Sequence, residues 1–161
     1  LEQWLEVRPK DAATWNSLGT LHFLEGRELE AMEAYETVIS IVPEHAQALN
    51  NLAVLYSRHN RDEEALAIAE RAYKRDGNDA LVADTYGWLL VNSGSTEQGL
   101  SILESAARVA PGNMEIQYHL ATALRNSGEE ARATRLLEQV VESKQDFADK
   151  ETARKAYELL R

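Results

Sequence analysis

The chain has 161 residues, 17 basic against 27 acidic, for a net charge of −10, and 44% of it is hydrophobic. It contains no cysteine, which excludes a disulfide framework and cysteine-bound metals. The acidity argues against nucleic acid and anionic membrane as partners, because both need basic patches. No apolar run reaches the length of a membrane span, so direct membrane insertion is not expected.

The chain repeats itself. In a 34-residue frame the units are 12–45, 46–79, 80–113 and 114–147. Residues 1–11 then fall in the second helix of a preceding repeat, closed by Pro9. The sequence opens at Leu1 without a methionine, so a fragment is expected, with any targeting or anchoring segment upstream. Leu1, Trp4 and Leu5 lie on the face that such a repeat would cover. Left open, that face is expected to support a dimer through this end.

Within each unit the seventh slot holds Leu18, Leu52, Tyr86 or Leu120, and the eighth holds Gly19, Ala53, Gly87 or Ala121. The fifteenth holds Gly26, Asn60, Gly94 or Gly128, the residue types that accept the positive φ ending a helix. The twentieth is again small: Ala31, Ala65, Gly99 and Ala133. The thirty-second holds Pro43, Gly77, Pro111 and Gln145; proline cannot continue a helix because it lacks the amide hydrogen. Each unit therefore reads as two helices and a turn. Small residues at slots eight and twenty let the helices approach, and large apolar residues fill the space around them. One hairpin cannot bury its apolar face alone, so neighbours must stack.

Asp11 is positioned to cap the first helix of the first unit. Acids crowd the starts of the second helices: Glu28 and Glu30, then Asp62, Glu63 and Glu64, then Glu129 and Glu130. Negative charge there suits the helix dipole, so these acids are not read as paired catalytic carboxylates. After the fourth unit, Asp146 could cap a last helix over 148–161. Its stripe of Ala153, Ala156, Tyr157 and Leu160 makes it a solvating cap for the array.

No catalytic residue is found. There is no phosphate-binding glycine loop and no Gly-x-Ser-x-Gly elbow. His22, His45, His59 and His119 are never three or four residues apart, so no helical histidine pair exists to hold a metal. No metal and no cofactor are expected. His22 reads as a packed core residue, and His45 and His59 as exposed residues near helix ends.

These slots resemble the tetratricopeptide repeat family. Its pattern is carried best by Trp15, Leu18-Gly19, His22, Ala31, Tyr35 and Pro43, and least well by the second unit, with Leu49 and Gly77. The resemblance covers nearly the whole chain. It implies an all-α fold: a right-handed α-solenoid of antiparallel helix hairpins with a C-terminal capping helix. It also implies a non-catalytic scaffold that binds a protein or peptide segment in a concave groove. Carried over slot by slot, that groove includes Asn16, Asn50, Asn51, Asp84, Trp88, Tyr118 and Arg125. The lining lacks the lysines with which chaperone-binding members clamp a terminal carboxylate. Asparagine offers donor and acceptor to a peptide backbone, and Trp88 and Tyr118 offer large, stiff apolar area. Trp88 has two readings, groove anchor or packing against the next repeat.

A closer resemblance runs through Asp84-Thr85-Tyr86-Gly87-Trp88-Leu89-Leu90, Ala110-Pro111-Gly112-Asn113 and Tyr118-His119-Leu120-Ala121. This is similar to the C-terminal part of bacterial tetratricopeptide lipoproteins of the PEP-CTERM/exosortase system. It implies a cell-envelope location and a role in sorting exported proteins or in polysaccharide export. The alternatives are a structural module acting through its ends and a regulatory arm of a larger enzyme.

Overall fold

The computed structural model describes residue 8 and residues 10–160, and among them there are nine α-helices and no strand. The expected remnant over 1–11, and the dimer through it, lie almost wholly outside the described residues. The chain divides after Asp76 into two compact units. The first holds α1 (Ala12–Leu24), α2 (Glu28–Ile41), α3 (Ala46–Arg58) and α4 (Asp62–Asp76). The second holds α5 (Ala80–Asn92), α6 (Thr96–Val109), α7 (Met114–Asn126), α8 (Glu130–Glu142) and α9 (Lys150–Leu160).

Each odd-numbered helix from α1 to α7 opens on a side-chain cap. Asp11 accepts from the Thr14 amide at 3.1 Å, and His45 Nδ1 accepts from Ala48 at 3.2 Å. Asp79 accepts from Leu81 and Val82, and Asn113 from Glu115 and Ile116. Each cap satisfies amides that a helix start leaves without partners, and each is worth about 1 kcal/mol. His45 is thus a half-buried capping residue, where the sequence suggested an exposed one. By contrast α2, α6 and α8 have no side-chain cap bond. They begin instead with acids, such as Glu28 and Glu30, Glu97, and Glu130.

The elbows inside the four hairpins are built alike. Gly26, Asn60, Gly94 and Gly128 take φ of 73°, 58°, 89° and 86°. The following amide then turns back into the preceding helix: Arg27 to His22, Arg61 to Tyr56, Ser95 to Leu90 and Glu129 to Leu124, each at 2.9 Å. This six-to-one bond is the Schellman closure, which satisfies carbonyls at the helix end.

In the first unit α1 pairs with α2, α3 pairs with α4, and α2 lies against α3. Tyr35, Leu49, Leu52 and Leu55 are fully buried between them, and His22 is 7% exposed, a core residue as expected. Gly19 makes room for the Tyr35 ring: a β-carbon on it would lie 2.8 Å from Cε1.

In the second unit α5 and α6 meet most closely through Gly87 and Gly99. Then α6 packs on α7, α7 on α8 and α8 on α9. Tyr118, Ala121, Leu137, Val140, Ala153 and Ala156 form one apolar cluster, with Phe147 and Leu160 packed against it. The last helix begins at Lys150, two residues later than the sequence suggested, and Asp146 is exposed in the segment before it. The delay has a physical cause. Phe147 turns inward onto the cluster, and the Lys150 ammonium donates to the carbonyls of Ser143 and Gln145 at 3.1 and 2.8 Å.

Candidate functional site

Polar side chains gather on the first helices of the hairpins. In the first unit they are amides on α1 and α3. Asn16 donates through Nδ2 to Gln47 Oε1 at 3.1 Å, joining the two helices. Asn51 donates to the Tyr35 hydroxyl at 3.0 Å, and that hydroxyl also meets Thr20 Oγ1 at 3.1 Å. Asn50 lies one turn beyond Gln47 on α3. Asn16 Oδ1 and Asn50 Oδ1 are buried atoms with no hydrogen-bond partner among the described residues. A buried carbonyl oxygen without a donor costs about 1–3 kcal/mol, and native structures carry few of them.

The second unit holds a different constellation on α5 and α7. Asp84 and Trp88 are one turn apart on α5; Tyr118 and His119 are adjacent on α7. His119 Nδ1 meets both carboxylate oxygens of Asp84, at 2.9 and 3.0 Å. An ionised carboxylate only accepts, so Nδ1 carries the donated hydrogen. Trp88 stacks on the imidazole with ring centroids 4.3 Å apart and planes 13° from parallel. Tyr118 is tilted against Trp88, His119 and Phe147. Burial pushes the Tyr118 hydroxyl above its ordinary pKa.

This placement corrects two of the expected groove residues. Asp84 is 7% exposed and Tyr118 is 6% exposed. Asp84 is turned onto His119, and Tyr118 is part of the cluster that seats the last helix. Both are committed inside the fold, because a carboxylate on α5 finds an imidazole on α7 and an aromatic ring finds Phe147. Asn16, Asn50, Asn51, Trp88 and Arg125 remain partly exposed. Trp88 covers the buried pair with one face of its ring, and Arg125 forms no ion pair among the described residues.

The structure also brings together residues that the sequence does not group. Glu115 stands one turn before His119 on α7, and Asp149 immediately precedes α9. Each of the three offers a donor atom, and these atoms lie within 4.8 Å of one another. Histidines compared only with one another miss this cluster. The Glu115–His119 spacing of one helical turn is a legible signal. Asp149, 30 residues further on in an irregular segment, is not.

Comparison with known proteins settles the family. Tetratricopeptide repeat models match residues 10–78 and 90–157, most of the chain. The chain belongs to the tetratricopeptide repeat family. Its fold is accordingly an all-α one of repeated helix hairpins, as expected. Among solved structures, this repeat protein is similar to YrrB, a tetratricopeptide protein with an unusual peptide-binding site. The TM-score is 0.75 at 19% identity, over 99% of this chain and 84% of that one. It is similar to TTC0263 of Thermus thermophilus, with TM-score 0.72 and 21% identity over 92% and 80% of the two chains. Pseudomonas aeruginosa PilF aligns with TM-score 0.72 and 18% identity over 96% and 77%. No curated protein matches the sequence.

Proposed function

We propose that this tetratricopeptide repeat protein is a non-catalytic scaffold that binds an extended segment of a protein partner along the amide-bearing faces of α1 and α3. The observation that carries the reading is the row of partly exposed amides, Asn16, Asn50 and Asn51, on the first helices of the two hairpins. An extended peptide presents backbone N–H groups and carbonyls with which such amides exchange hydrogen bonds. Peptide binding by the similar repeat protein YrrB is in keeping with this. The net charge of −10 favours a partner segment that carries basic residues over a nucleic acid.

The run from Asp84 to Leu90, with its likeness to envelope repeat lipoproteins, supports a role in sorting or exporting material at a bacterial cell envelope. The partner would then be an exported protein or a component of the export apparatus.

The test is a peptide library selected against the wild-type chain, followed by fluorescence anisotropy on the selected peptides. Asn16→Ala combined with Asn50→Ala should weaken binding at least about tenfold, the effect of one or two lost hydrogen bonds. Circular dichroism must first show both proteins equally helical. Equal affinity for wild type and variant would overturn the reading.

A further inference from the structure

The environment of His119 has a property that peptide binding does not explain. Its side chain is only 7% exposed. Nδ1 is satisfied by Asp84, but Nε2 makes no hydrogen bond among the described residues. Its nearest charged neighbour is Asp149 Oδ2 at 4.0 Å, beyond hydrogen-bond reach. With the hydrogen on Nδ1, the ring in its neutral form presents a lone pair at Nε2. The Asp149 and Glu115 carboxylates, which are themselves acceptors, each bring an oxygen within 4.8 Å of a ring nitrogen and of one another. Three acceptors gathered at one place repel each other unless a cation stands between them, whether a metal ion or a second proton on the ring.

We propose that Glu115, His119 and Asp149 form a binding site for a divalent transition-metal ion of the zinc class. His119 would ligate through Nε2, and each acid through one carboxylate oxygen. The buried Asp84 is the positioning residue. It accepts from Nδ1, holds the ring's orientation and tautomer, and raises the basicity of Nε2. A carboxylate behind a ligating histidine is the usual outer partner at such sites. Trp88 stacks on the ring and fixes its plane, so the ligand is rigid before the metal arrives.

The donor set favours zinc over the hard cations. Imidazole suits zinc and its neighbours, whereas magnesium and calcium prefer oxygen donors alone. Tetrahedral ligands at about 2.1 Å from zinc stand about 3.4 Å apart, so the donor atoms here must close by up to about 1.4 Å. Asp149 has a side chain 42% exposed, and Glu115 is a long side chain, so both are free to rotate inward. Three protein ligands leave the fourth position to water or to a donor from another molecule.

The site would staple the first turns of α7 to the segment that leads into α9. That junction otherwise rests on the Tyr118–Phe147 contact and on the Met114 amide, which donates to Gln145 Oε1 at 3.0 Å.

The experiment is calorimetric titration of zinc chloride into the chelator-treated chain. The comparison proteins are Glu115→Gln, Asp149→Asn and a control, His59→Gln. The control removes the other histidine–carboxylate pair, His59 Nε2 with Glu28 at 3.1 Å, a surface pair on which zinc could bind adventitiously. The wild type should bind one zinc with a dissociation constant on the order of micromolar. Each of the two ligand variants should bind at least about tenfold more weakly, as loss of a metal partner generally does, and the control should bind as wild type. Magnesium chloride should give no saturable binding. Both ligand positions are partly exposed, so the variants keep their fold, which circular dichroism checks. Absence of saturable zinc binding, retention of full affinity in both ligand variants, or loss in the control would each overturn the proposal.

Discussion

The carbonyl oxygen of Gly87 lies so close to Gly99 that a β-carbon built on Gly99 would stand 2.6 Å from it. Val91 closes the same space, with Cγ2 at 2.7 Å. The approach is backbone to backbone, so no flexible side-chain end can yield. Gly99→Ala would ordinarily gain up to about 1 kcal/mol of helix propensity. Here the clash outweighs that gain, and the net effect should be a destabilisation of about 1–3 kcal/mol, the range for overpacking. Gly112→Ala is the matched control. No heavy atom lies within 4 Å of its would-be β-carbon, and its φ is not positive. Urea unfolding should place the Gly99 variant well below wild type and the Gly112 variant within about 0.5 kcal/mol of it.

Tyr35 is fully buried, yet its hydroxyl receives from Asn51 and meets Thr20. Tyr35→Phe leaves the ring against Gly19 and removes only the oxygen. Asn51 loses its acceptor, so the cost should be about 1–2 kcal/mol, that of a lost hydrogen bond plus a partly stranded amide. The slope of the urea transition should not change, because the surface exposed on unfolding is the same.

Tyr56 makes stability fall in alkali. Burial first, and then its hydrogen bond to Glu36 at 2.9 Å, raise its pKa from 10 to about 12. Below pH 10 the phenol is protonated in both folded and unfolded chains, and its contribution is constant. Between about pH 10 and pH 12 the unfolded chain loses a proton that the folded chain keeps. Stability therefore drops as pH rises through that window. Denaturation at a series of alkaline pH values should show the drop, and Tyr56→Phe should flatten it. Some slope will remain, because burial raises Tyr118 as well.

The hairpins are legible in the sequence because they are local and periodic. Gly26, Asn60, Gly94 and Gly128 are the residues that can take positive φ, and all four do. Ala31, Ala65 and Ala133 stand at the small-residue slot and are fully buried, and Gly99 meets the backbone of α5. What escapes depends on contacts between hairpins. Nothing local says that Asp84 will meet His119, 35 residues away. The family slots put Asp84 and Tyr118 on a groove surface. The particular aromatic and charged partners that α7 and Phe147 supply draw them inward instead. The onset of the last helix is hidden for a related reason. Phe147 is pulled onto a tertiary cluster, and the turn it makes delays the helix to Lys150.

The Asp84–His119 pair gives one junction in the array an address. At the slot where the third unit has Asp84, the other units carry Asn16, Asn50 and Tyr118. At the slot where the fourth has His119, the others carry Ser17, Asn51 and Thr85. If the third and fourth hairpins were exchanged, or another were spliced between them, a buried carboxylate would face a neighbour that holds no imidazole. A chain assembled from interchangeable modules thus contains a pair of modules that are not interchangeable. Any duplication that lengthens this protein without harm must fall on some other side of that seam.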